Sequence, residues 1–105
     1  MNGTLSFAIS RSSGRMLVAV AGEIDLATAR DLHAVLQESG HQSVTVDLKE
    51  VTFIDSSGLA ILMRAHDRIT LAGGRFSIRG PRPNVQRTFE VAGLAERFDV
   101  DPLPI

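Results

Sequence analysis

The stretch FIDSSGLAIL, residues 53–62, sets an acid, two serines and a glycine between two apolar patterns of different period. The pattern before it belongs to a strand: SVTVDL (43–48) alternates apolar and polar residues, and KEVTF (49–53) leads out of it. From Ser57 to Ala72 the period is helical. Gly58, Ile61, Leu62, Ala65, Ile69 and Ala72 share one face if each residue turns about 100°. A strand passing directly into a helix is the building unit of an α/β fold. At such a junction Asp55 and the serines are good helix caps, because a side-chain oxygen can accept from the free amides of the first turn. A cap of this kind is worth about 1 kcal/mol. Gly58 lets the backbone turn tightly.

The same reading extends in both directions. LSFAI (5–9) alternates as a strand does, SRSSG (10–14) is a turn cluster, and RMLVAVAGEI (15–24) is a near-continuous apolar run suited to an interior strand. These two strands predict a hairpin. DLATARDLHAVLQESG (25–40) predicts a helix with Asp25 as N-cap, Ala29, Leu32 and Leu36 as its apolar stripe, and Gly40 as its stop. After the second helix and the Gly73-Gly74 pair, RFSIRG (75–80) reads as a further strand. NVQRTFEVAG (84–93) reads as a third helix, with Val85, Phe89 and Ala92 inward, Gly93 at its end and Leu94 making the contact that accompanies such a stop. RFDV (97–100) closes the pattern as a short strand and DPLPI (101–105) is a tail. The fold class is therefore α/β. The expectation is a single domain over 1–105, with its core in about 5–100. It has a mixed four- to five-stranded sheet, an opening antiparallel hairpin followed by parallel crossovers, and three or more helices packed on it.

Composition narrows the function. The 105 residues are 44% hydrophobic and 22% charged, as in an ordinary globular domain. A formal net charge of −1 lacks the basic excess of a general polyanion binder, so no nucleic acid is expected as partner. With no cysteine there are no disulfides and no thiolate metal sites, which fits a cytoplasmic location. MNGTLSFAIS (1–10) has neither the basic nor the apolar region of a signal peptide, and no apolar run reaches the length that would insert in a membrane. The five phenylalanines, at 7, 53, 76, 89 and 98, are spaced like core residues.

The serine pair also has two chemical readings. Nucleophilic catalysis would need a base, and His33, His41 and His66 are the only imidazoles. His66 lies nine residues beyond Ser57, about 13 Å along a helix, too far for a hydrogen bond. His33 points away from the stripe of the first helix, and His41 belongs to a loop at the far end of the sheet. The Gly-x-Ser-x-Gly elbow is missing. Neither an enzyme nor a metal or cofactor site is expected, and the lack of a Gly-x-x-x-x-Gly-Lys loop disfavours a nucleotide binder. Covalent regulation is the other reading. A phosphate on a hydroxyl at a helix start adds −1.5 to −2 charges, which the unpaired amides there tolerate. Its effect would fall on whatever docks nearby. Leu59 and Met63 lie about 100° to 140° off the centre of the buried stripe, so they either pack under a neighbouring helix or form a partner patch beside Ser57. Arg64 and Arg68, on the other side, are read as solvated.

GEID (22–25) after an apolar strand, FIDSSGLAIL (53–62) and GPRPNVQRTFEVAGL (80–94) together resemble the STAS domain family, and within it the bacterial anti-sigma factor antagonists. The resemblance spans roughly residues 15–100. It implies a small mixed sheet with helices and no enzymatic activity. It also implies that the second serine, Ser57, rather than Ser56, is phosphorylated by an anti-sigma factor that is itself a serine kinase, and dephosphorylated by a metal-dependent PP2C-type phosphatase. Only the unphosphorylated form would bind the anti-sigma factor and so release the sigma factor. Asp55 matches the acid before the serine pair, and Asp25 the acid of a turn near the phosphorylation site. Asp25, Asp55, Ser56, Leu59 and Met63 are the expected partner-binding residues. Ala60 and Ile24 stand where the antagonists more often have Gly and Leu. Other STAS relatives are interaction subunits of lipid-transport or sensory complexes that work without phosphorylation, and this is the alternative function.

Overall fold

In a computed structural model, which describes residues 4–40 and 42–101, the elements follow in the order β1 (Ser6–Ser12), β2 (Arg15–Ile24), α1 (Ala29–Gln37), β3 (Ser43–Ile54), α2 (Ser56–Leu71), β4 (Phe76–Arg79), α3 (Pro83–Val91) and β5 (Val100–Asp101). The sheet order is β1-β2-β3-β4-β5. The first pair is antiparallel and the other three are parallel, as the sequence pattern predicts.

One face of the sheet makes the core. Met16, Val18 and Val20 from β2, Val44 and Val46 from β3, and Phe76 and Ile78 from β4 are all buried. They form a single apolar cluster with Leu32 and Leu36 of α1, Leu62 and Ile69 of α2, and Val85 and Phe89 of α3. Alternate residues on these strands point the other way, so the helices lie on one face and leave the second face bare.

β3 is twice as long as SVTVDL suggests. Its register against β2 shifts twice: Ala19 and Ala21 face Asp47 and Glu50, and Gly22 and Glu23 face Val51 and Phe53. Each bulge breaks the two-residue alternation, which hides residues 49–54 from a periodicity reading. Gly22 takes a φ of +122°, and a Cβ there would meet the Thr4 carbonyl oxygen at 3.0 Å. The bulges bring Ile24 opposite Ile54, at the C-terminal ends of adjacent parallel strands.

Several local expectations change. α1 begins at Ala29 rather than just after Asp25. Asp25 instead caps a separate turn: its Oδ1 accepts from the Thr28 amide at 3.1 Å, while Thr28 Oγ1 accepts from the Asp25 amide at 2.9 Å. α1 also ends at Gln37, before Gly40. Arg68 is half-buried rather than fully solvated. Its guanidinium donates to the carbonyls of Leu36 (2.8 Å) and Gly40 (2.5 Å), placing a cation where the dipole of α1 ends. The predicted stop of α3 holds, with Gly93 at φ +74° and the Leu94 amide donating to Phe89 O at 2.8 Å. Phe98 lies in a turn before β5. It is fully buried, with its ring 5.8 Å from Phe76 and 5.5 Å from Phe89. Phe53, by contrast, is not a core residue: it is 45% exposed.

Candidate functional site

The pairing of Ile24 with Ile54 sets the site. The residues that follow, Asp25 and Asp55, emerge side by side from neighbouring strands, and the Asp55 amide donates to Ile24 O at 3.1 Å. Asp55 is the N-cap of α2, with extended backbone. Its Oδ1 accepts from the amides of Ser57 (2.9 Å) and Gly58 (3.3 Å). Gly58 is not there to turn the chain. A Cβ at this position would stand 2.5 Å from Ile24 Cγ2 and 2.7 Å from Ile54 Cγ1. The missing side chain lets the first turn of α2 press onto the ends of both strands.

This packing decides where the two hydroxyls go. Ser56 is exposed and Ser57 half-buried. Among the described residues the Ser57 hydroxyl has no hydrogen-bond partner, and no polar side-chain atom is both sealed from solvent and unpaired. The Ser57 oxygen therefore meets solvent at the mouth of the helix. No base attends it. His66 hydrogen-bonds Asp67 at 3.0 Å, with its ring 6.0 Å from both Phe76 and Phe98, and His33 contacts Gln37 at 3.2 Å. His41 lies outside the described residues.

The apolar surface beside the serines differs from the expected one. Leu59 is only 9% exposed and belongs to the core, and Met63 packs half-buried against it, so the two do not form an open patch. The inward face of α2 is Gly58, Leu59, Leu62, Ala65 and Ile69, with Ala72 exposed. α3 lies on the Leu59 side of α2. An open groove of about 450 Å³ remains between the helices, lined by Ser56 and Leu59 on one side and by Asn84, Arg87, Thr88 and Val91 on the other. Asn84 ties the start of α3 to the end of β3 through a 2.9 Å bond to Thr52 O. Among the described residues, Leu26 (79%) just after β2 and Phe53 (45%) just before the end of β3 are exposed apolar groups beside the strand ends, and Val91 (82%) is exposed across the groove. Sequence reasoning missed Leu26 and Phe53. Phe53 adjoins the buried Ile54 beyond two bulges that break the alternation, and Leu26 follows Asp25 in a turn outside any strand, so no periodic signal marks either.

A family model described as "Mlab, STAS domain" matches residues 7–103. The chain belongs to the STAS domain family. Among curated proteins it is similar to the anti-sigma F factor antagonist of Paenibacillus polymyxa, with 26% identity over 103 residues, covering 94% of this chain and 86% of the relative. It is also similar to the anti-sigma-B factor antagonist of Staphylococcus aureus (strain NCTC 8325 / PS 47), with 29% identity over 87 residues, 80% of this chain and 81% of the relative. Among solved structures, an anti-sigma factor antagonist from Mycobacterium paratuberculosis superposes with a TM-score of 0.84 at 26% identity, covering 94% of this chain and 86% of that one. No helix among the described residues of this STAS domain is long and apolar enough to cross a membrane.

Proposed function

We propose that this STAS domain is an anti-sigma factor antagonist whose unphosphorylated form binds an anti-sigma factor serine kinase in the cytoplasm and is switched off by phosphorylation of Ser57. The observation that carries the reading is the Ser57 hydroxyl. It is held at the start of α2 by a capped turn, meets solvent, and is engaged by no other group among the described residues. The similarity to named antagonists over most of both chains supports it as well.

In this reading the partner covers Asp25, Asp55, Ser56 and the exposed Leu26 and Phe53, and reaches the groove above Leu59, with Met63 backing it. The modification acts by charge. The amides of Ser57 and Gly58 are already bonded to Asp55, so they are not free to receive a phosphate. A phosphorylated Ser57 would add up to two negative charges beside two carboxylates. Burying that group in an interface without a cationic partner costs several kcal/mol. About 2.8 kcal/mol already weakens binding 100-fold. A PP2C-type phosphatase would restore the binding form. The protein itself then needs no catalytic residue, metal or cofactor.

Titration of a cognate anti-sigma kinase with three forms of the protein tests this. Wild type and Ser57→Ala should bind alike, and the phosphorylated form about 100-fold more weakly. Phe53→Ser should weaken binding about tenfold without loss of folding. Equal binding of phosphorylated and unmodified protein would overturn the switch. Capture of a transporter or sensory subunit in place of a kinase would favour the alternative of an interaction module that works unmodified.

A further inference from the structure

The bare face of the sheet carries a polar cavity at the end opposite Ser57. It is about 200 Å³ in volume and is lined by Arg15, Ser43, Thr45, Arg75 and Ser77. Strand register explains why these residues meet. Arg15 pairs with Ser43 across β2 and β3, and Thr45 pairs with Ser77 across β3 and β4. All alternate with the buried Met16, Val44 and Phe76, so they share the face that no helix covers.

The donors outnumber the acceptors. Ser43 Oγ accepts from the Arg75 amide at 3.0 Å, which leaves its own proton free to donate into the cavity. The hydroxyls of Thr45 and Ser77 lie 2.9 Å apart and share one proton between them, so one further O–H is free. Among the described residues Arg15 makes no ion pair or side-chain hydrogen bond. Arg75 gives its Nε and Nη2 to Asp99, which leaves the Nη1 donors. Among the described residues no carboxylate lines the cavity. Further along the face, Asp47 is already held by Lys49 and Arg79, each at 3.5 Å. The local balance is one positive charge in excess, with hydroxyl and guanidinium donors converging on a single space. That donor set fits a tetrahedral oxyanion, for which paired arginines and hydroxyls are the usual ligands.

We propose that this cavity binds a phosphate group, either free phosphate or the phosphate of a small phosphorylated metabolite. The site lies on the opposite face and at the opposite end from the serine pair, and its test does not depend on the switch. It uses no glycine loop, so its affinity is set by charge and hydroxyl contacts and is modest.

Calorimetric titration of the full chain with inorganic phosphate, glucose 6-phosphate and chloride, at matched ionic strength, tests the proposal. Saturable binding of either phosphate species is expected with a Kd at or below about 1 mM, and none is expected for chloride. Arg15→Gln, an exposed position, should weaken it about tenfold, and Ser43→Ala about threefold. Backbone amide shifts on titration should centre on residues 15, 43, 75 and 77. Tighter binding of the ester would identify a metabolite as the ligand, and equal binding the free ion. The absence of saturation by both species would overturn the site, as would unchanged affinity in Arg15→Gln with shifts spread over the surface.

Discussion

Asp25 and Asp55 stand at the ends of neighbouring parallel strands, and each accepts from amides that follow it, yet the hydroxyls beside them are used in opposite ways. At the first turn Thr28 is 5% exposed. Its hydroxyl donates to Glu23 O at 2.8 Å and accepts from the Asp25 amide. That hydroxyl is consumed by the fold. At the second turn Asp55 alone satisfies the free amides, and the Ser57 hydroxyl is left over. The difference separates a hydroxyl that closes a turn from one that the fold leaves unused. It arises because the Asp55 carboxylate reaches both the second and third amides after it, whereas the Asp25 turn needs a reciprocal partner to close.

Substitutions at the two turns should rank in a definite order of stability loss, each read from urea unfolding. Gly58→Ala should cost the most, about 2 kcal/mol. Overpacking against Ile24 and Ile54 amounts to about 3 kcal/mol, partly offset by the gain of about 1 kcal/mol when Ala replaces Gly in a helix. Thr28→Val keeps the shape but leaves the Asp25 amide and the Glu23 carbonyl without their partner, and about 1.5 kcal/mol should be lost. For Asp55→Ala the expectation is about 1 kcal/mol, the worth of a helix cap. Ser57→Ala should cost under about 0.5 kcal/mol. A loss at Ser57 as large as that at Thr28 would erase the contrast. A neutral Thr28→Val would show that the first turn, too, has a hydroxyl to spare.

How much of this was legible in the sequence depended on the kind of interaction. Element order and strand direction follow from apolar period and turn residues, and these survive in the structure because the core is continuous from β2 to Phe89. The cap at Asp55 and the stop at Gly93 are local chemistry, readable within four residues. Features set by distant contacts were not. Residues 49–54 extend β3 only because bulges let them pair with Ala21 to Ile24. Leu59 is buried in the core although the helical period sets it off the centre of the stripe. Arg68 looks like a surface residue until the end of α1 comes within its reach. Gly58 reads as a turn glycine, and its real role appears only when the two isoleucines are placed beside it. The nearness of Asp25 to the serines came from family resemblance, and the register of β2 on β3 supplies its physical reason. Of the site, the serine pair and its cap were legible, while its apolar margin at Leu26 and Phe53 was not.

The central proposal is that Ser57, rather than the more exposed Ser56, equally unpartnered among the described residues, is the serine modified at the start of α2. Incubation of the intact protein with a cognate anti-sigma kinase and ATP, followed by residue mapping by mass spectrometry, tests it most directly. A single phosphate on Ser57, absent from Ser57→Ala, is the predicted result. Label on Ser56, on Thr28, or on none of these residues would contradict it.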